Sequence, residues 1–171
     1  MKLLSAIVSL AVLAISQAIV EGAPTSTTTY TPRPTPPAYP ASESCATGTT
    51  TQDVTAFTLT PSDYCIGKPY TLTSTGPLKT DIIAGGTFTV TGRYLGRVVY
   101  TDDHRDFCAL LAAAGTPCPV AKTADALSFA LTVKPWVPAI LPFQYTYLAT
   151  NGDNRVIFCR ATTLTGKKCT V

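Results

Sequence analysis

The 171-residue sequence contains a single histidine, His104, and only 13% of its residues are charged. It has no Asn-x-Ser/Thr acceptor and no long apolar run beyond its first residues. Each shortage excludes something. A lone histidine removes the usual zinc sets and leaves a catalytic thiol no choice of base. A net charge of +3 is too weak to hold nucleic acid, and no basic stripe with interleaved aromatics accompanies it. No Ser-centred nucleophile motif occurs. The stretch "TDDHRDF" gathers Asp102, Asp103, His104 and Asp106. Carboxylates adjacent on a loop rarely converge on one substrate atom, so the stretch reads as a solvated turn. The expectation is a protein without enzymatic activity, metal or cofactor.

What is present begins with Met1-Lys2, an apolar run over residues 3–15, then Ser16-Gln17-Ala18. One basic residue, a short apolar stretch and small residues at a cleavage site read as a secretory signal over residues 1–18, with Ala23 as the latest fitting cleavage point. The expected destination is the extracellular space or a vacuole-like or lysosome-like lumen. Residues 24–41, "PTSTTTYTPRPTPPAYPA", offer almost nothing to bury and read as a disordered Thr/Pro spacer. The folded part is expected over residues 42–171, a usual size for one domain.

Six cysteines follow the signal: Cys45, Cys65, Cys108, Cys118, Cys159 and Cys169. An even count in a secreted chain reads as three disulfides. In "DFCALLAAAGTPCPV", a Cys108–Cys118 bridge would clip an apolar loop, and that reading outweighs a metal or nucleophile role.

The folded part reads as strands. "DALSFALTV" sets Leu127, Phe129, Leu131 and Val133 on one face and Ser128, Ala130 and Thr132 on the other. "FQYTYLAT" repeats the alternation with Phe143, Tyr145 and Tyr147, and "TFTVTGRYL" with Phe88, Val90 and Tyr94. Further strands are expected over 54–60, 69–74, 97–101 and 155–163, with a short helical turn over 109–114. Seven or so short strands separated by Gly, Pro and Asn turns predict an all-β, immunoglobulin-like, two-sheet antiparallel sandwich. The Cys–Trp–Cys spacing of antibody domains is missing, because Trp136 falls in a Pro-rich segment.

In order, the chain carries Cys45, "LTPSDYCIGKPYTLTSTG", "DIIAGGTFTVTGRYLG", "DFCALLAAAGTPCPV" and "PWVPAILPFQYTYLATNGDNRVIFC". This succession resembles the ML lipid-recognition family, which includes the Niemann–Pick type C two sterol-transfer protein, the group 2 mite allergens and fungal phosphatidylglycerol/phosphatidylinositol transfer proteins. The resemblance implies a sandwich whose sheets part around a lipid cavity, and it implies Cys45–Cys159 and Cys108–Cys118 bridges. Cys65 and Cys169 then remain and are paired by elimination.

On this resemblance the cavity walls are expected from Phe88, Val90, Leu127, Phe129, Leu131, Phe143, Tyr145 and Tyr147. It places Leu110, Leu111 and Val120 along a mouth, with Val98, Tyr100, Trp136 and Ile140 opposite. The function implied is secreted lipid binding and intermembrane transfer of one phospholipid or sterol by a monomer that touches membranes transiently. Lys134 and Lys122 are candidates for meeting a lipid phosphate. The alternative is a wall-associated glycan-binding module on a Thr/Pro stalk, which would need an open aromatic platform instead of an internal site.

Overall fold

In the computed structural model, residues 42–62 and 64–169 are described. The expected signal and spacer lie outside the described residues. Eight strands and one helix follow in order: β1 (Glu43–Ser44), β2 (Ala56–Thr60), β3 (Pro69–Thr75), β4 (Thr87–Tyr94), β5 (Arg97–Asp106), α1 (Phe107–Ala113), β6 (Ala126–Thr132), β7 (Pro142–Thr150) and β8 (Val156–Thr165). They form a five-stranded sheet, β1-β8-β7-β4-β5, and a three-stranded sheet, β2-β3-β6. All pairings within these sheets are antiparallel.

The two-residue period places the core. Leu127, Phe129 and Leu131 on β6, Tyr70 and Leu72 on β3, Phe88 and Val90 on β4, and Phe143, Tyr145 and Tyr147 on β7 are all buried between the sheets. Each such side chain contributes about 1.5–3 kcal/mol on leaving water. Three disulfides tie the ends together: Cys45–Cys159, Cys65–Cys169 and Cys108–Cys118.

The sandwich has two distinct ends. At the helix end lie α1 and the turns around Gly76, Ala84 and Gly152. At the hairpin end, β4 turns into β5 through Leu95 and Gly96, both with positive φ (49° and 80°). A two-residue loop with positive φ at both positions matches the right-handed twist of its strands. The segment between β6 and β7 ends here too, since Phe143 at the start of β7 packs against Tyr94 with the rings tilted and their centroids 5.4 Å apart.

"TDDHRDF" is not a turn. Its first six residues continue β5, which pairs with β4 as far as Asp106 opposite Thr87. Phe88 faces Arg105 but Val90 faces Asp102, so β5 carries one extra residue there, and His104 sits in the left-handed region at φ 57°. This β-bulge brings Asp102 and Arg105 onto the same inner face, although they lie an odd three positions apart. The sequence pattern missed the strand because its charges suit a sheet edge, where charge discourages pairing with other chains.

Asp106 is also more than a solvated group. It caps α1, accepting from Ala109 N–H at 3.1 Å. Asp106→Ala should therefore cost about 1 kcal/mol of stability, measurable by urea unfolding. A midpoint unmoved by the substitution would show that the cap does not matter.

Candidate functional site

The space between the sheets is uneven along its length. Toward the helix end it is filled. Phe88, Phe107, Phe129 and Phe158 interlock, with the Phe88–Phe129 and Phe107–Phe129 centroids 4.9 Å and 5.4 Å apart. Leu72, Leu111 and Leu127 close the remaining gaps and are fully buried. Interiors packed this way hold no room for a ligand.

Toward the hairpin end the interior changes character. Tyr64, Tyr70 and Tyr145 pack ring to ring at 5.2–5.6 Å, and the Tyr70 and Tyr147 hydroxyls meet at 3.4 Å. Beside them lies a gap of about 10 Å³, enough for about one water. Val90, Leu131, Val137, Tyr64, Tyr70 and Tyr145 line its inner side. Gly92, on the inner face of β4, supplies no side chain here; a Cβ would stand 3.3 Å from the Tyr145 ring.

The gap reaches the surface between β5 and the segment that follows β6. Two contacts close that edge. Tyr100 meets Trp136 edge-on at 5.1 Å. Asp102 reaches Lys134 across the edge at 3.8 Å, and lies 3.8 Å from Arg105 on its own strand. Those distances exceed the roughly 2.7–2.9 Å of a direct charge-assisted hydrogen bond. Partly exposed pairs of this kind are worth about 0–1 kcal/mol each. The latch is weak, and it leaves two cations sharing one carboxylate at the mouth.

Burial keeps the tyrosines neutral. Desolvation pushes Tyr70 up to about 12 and raises Tyr64, Tyr145 and Tyr147 as well. Tyr100 is raised by desolvation and by its hydrogen bond to Asp102. Unfolded tyrosines release their protons near pH 10, while the folded ones hold theirs. This stabilisation is therefore complete below pH 10 and is lost as pH rises from 10 through 12. Of the eight tyrosines, the share of tyrosinate absorbance owed to Tyr64, Tyr70, Tyr145 and Tyr147 should appear only together with unfolding, above pH 10. Smooth ionisation of all eight tyrosines near pH 10 with the fold intact would contradict the buried cluster.

Phe88, Val90, Leu127, Phe129, Leu131, Phe143, Tyr145 and Tyr147 are all buried between the sheets. Only Val90, Leu131 and Tyr145 of these border the gap, and Tyr100 stands at its mouth. Leu110 and Leu111 pack into the core from α1, and Val120 pairs with Ile82. The structure does not bring these three to the opening. Cys108–Cys118 staples the helix end, whereas the gap opens farther along β5. Val98 points to the outer face opposite Arg93, and Ile140 is 82% exposed. Lys134 reaches the mouth, but Lys122 sits beside Asp81 at the helix end.

Val137 was expected beside Trp136 and does line the gap, whereas Tyr64, Tyr70, Asp102 and Arg105 were not anticipated at the site. Tyr70 was legible as an inward position of an alternating strand. Arg105 was not, because only the bulge turns it inward. A second cleft, of about 280 Å³, lies at the opposite edge beside Ser44, Thr50, Thr55 and Arg160. There the Arg160 guanidinium donates to the Val54 carbonyl at 2.7 Å.

A family model described as the ML domain matches residues 41–165. No curated protein sequence matches the chain. Solved structures do. A Niemann-Pick type C2 protein from Japanese carpenter ant aligns at 16% identity and TM-score 0.55, over 73% of this chain and 98% of its own. Chicken MD-1, solved in complex with lipid IVa, aligns at 19% identity and TM-score 0.51, over 72% and 86%. At these identities the likeness is one of fold. The family match covers well over half of the sequence, and the chain belongs to the ML domain family.

Proposed function

We propose that this protein binds one lipid between its sheets and carries it between membranes, without covalent chemistry. One observation carries the reading: an apolar, tyrosine-lined interior leads to a sheet edge closed only by weak contacts. Family membership supports it, as does a structural neighbour solved with a bound lipid. Three disulfides are in keeping with a secreted or luminal protein.

The interior is closed in this structure, and a lipid needs far more room than one water. Ligand sites generally span about 300–1,000 Å³. Loading on this reading requires β5 to part from the segment after β6. Each methylene buried returns about 0.8 kcal/mol, so a few carbons of an acyl chain offset the loss of the latch. The head of the lipid would rest at the mouth, where Arg105 and Lys134 suit a phosphate and Tyr100 suits a hydroxyl.

The glycan alternative finds less support. Tyr145 and Tyr147 are buried, Tyr94 and Tyr100 are half-buried, and Trp136 is the exposed ring among them. That is no platform for a sugar. Native mass spectrometry of the protein from its host, with extraction of labelled phospholipid and sterol from vesicles, tests the reading. A folded protein that carries no lipid and extracts none would end it.

A further inference from the structure

Six large apolar side chains are exposed among the described residues. Five of them, Leu95, Val98, Val99, Trp136 and Ile140, gather toward the hairpin end, and only Ile83 lies at the helix end. Leu95 and Ile140 stand farthest out, 85% and 82% exposed. Both also hold left-handed backbone, at φ 49° and 64°. Asparagine or glycine occupies that conformation more easily, and a β-branched residue there is an outlier. Folding alone gives no reason to display leucine and isoleucine at these positions.

Charge divides along the same axis. Lys68, Arg93, Arg97, Lys134 and Lys168 lie toward the hairpin end. Asp53, Asp81, Asp106, Asp125 and Asp153 lie at the helix end, facing Lys79, Lys122 and Arg155 there. The other described carboxylates, Glu43, Asp102 and Asp103, sit midway. Among the described residues, the sandwich is positive at the end where its apolar tips project and negative at the other.

From this coincidence we infer that the hairpin end docks on an anionic lipid bilayer, with Leu95, Trp136 and Ile140 entering the interface. Apolar and indole side chains are favoured at that depth. Basic residues beside them are drawn to anionic headgroups, while the acidic end is turned away. Docking also acts on the mouth, because Trp136 entering the bilayer leaves its contact with Tyr100 and frees half of the latch. The inference goes beyond the lipid-carrying reading, since docking requires no cargo, and the two can fail separately.

The test is co-sedimentation of the purified full chain with phosphatidylcholine vesicles, with and without phosphatidylserine. Binding is expected only with phosphatidylserine, and it should weaken as salt is raised. Leu95→Asn with Ile140→Asn should lower it about tenfold or more, at an unchanged or higher melting temperature. Arg97→Gln should weaken it about fivefold. Ile83→Asn, at the opposite end, should leave it unaltered. Equal binding to both vesicle types, an undiminished double variant or an equal loss in Ile83→Asn would overturn the inference. So would a dimer in sedimentation velocity that the double variant dissolves, since the end would then cover a second copy. Vesicle docking by a protein that extracts no lipid would uphold this inference while ending the carrier reading.

Discussion

Replacing Cys45 and Cys159 together by serine is expected to lower stability by about 4–5 kcal/mol and the melting temperature by some 15–20 °C. The bridge joins residues 114 apart, and an unfolded chain relieved of so long a loop gains much conformational entropy. Little else holds this edge. β1 is two residues long and pairs with β8 only at Glu43 and Ser44. Cys65–Cys169 spans 104 residues, so loop entropy alone ranks the two bridges almost equal. They differ in the native state. Without Cys65–Cys169 the chain end beyond β8 can fray while both sheets stay paired, which limits the cost to the fold. Cys108–Cys118 closes only 10 residues and should cost about 3 kcal/mol at most. Calorimetry of the three double-serine proteins checks the order. A Cys45/Cys159 variant that melts within a few degrees of the parent would mean that the unfolded chain stays compact without the bridge.

The second large effect concerns loading. Leu131→Trp is expected to abolish lipid extraction from vesicles, a fall of more than about tenfold. Leu131 sits 4% exposed on β6, opposite Tyr70 and against the gap. An indole there fills the gap, so β5 can part from its neighbour without making room. Overpacking also costs about 1–3 kcal/mol. The melting temperature must therefore be followed beside the loading. A paired variant separates the effects: Leu127→Trp strains the filled helix end by a similar amount, away from the gap. It should lose stability and keep its lipid. If both variants load equally well, the gap beside Leu131 is not where the lipid enters.

Much of the fold was legible because the signals are local. Alternation in "DALSFALTV" and "FQYTYLAT" needs only neighbouring residues, and it identified β6, β7 and their buried faces. The tyrosines at 145 and 147 followed from it. The mouth was not legible in this way. Leu110, Leu111 and Val120 were expected to line it on the family resemblance; in the sequence itself the Cys108–Cys118 clip marks a loop without marking which end of the sandwich that loop closes. The chain runs the length of β5 between the gap and α1, and no local pattern reports that distance.

By itself, the sequence determined the class of the molecule: strands of period two, an even set of cysteines, and an interior richer in rings than in charge. Side-chain alternation and thiol count are carried by composition and spacing, so they survive without knowledge of register. Only the tertiary structure decided what faces what. One extra residue in β5, with His104 in left-handed backbone, turned Arg105 inward beside Asp102 and made a charged rim out of a stretch that reads as solvated. Strand pairing likewise brought Leu95 and Ile140, 45 positions apart, to one end among lysines and arginines, and sent Asp53, Asp81, Asp106, Asp125 and Asp153 to the other. Register and end-to-end polarity arise from contacts between segments distant in the chain, and no window of residues contains them.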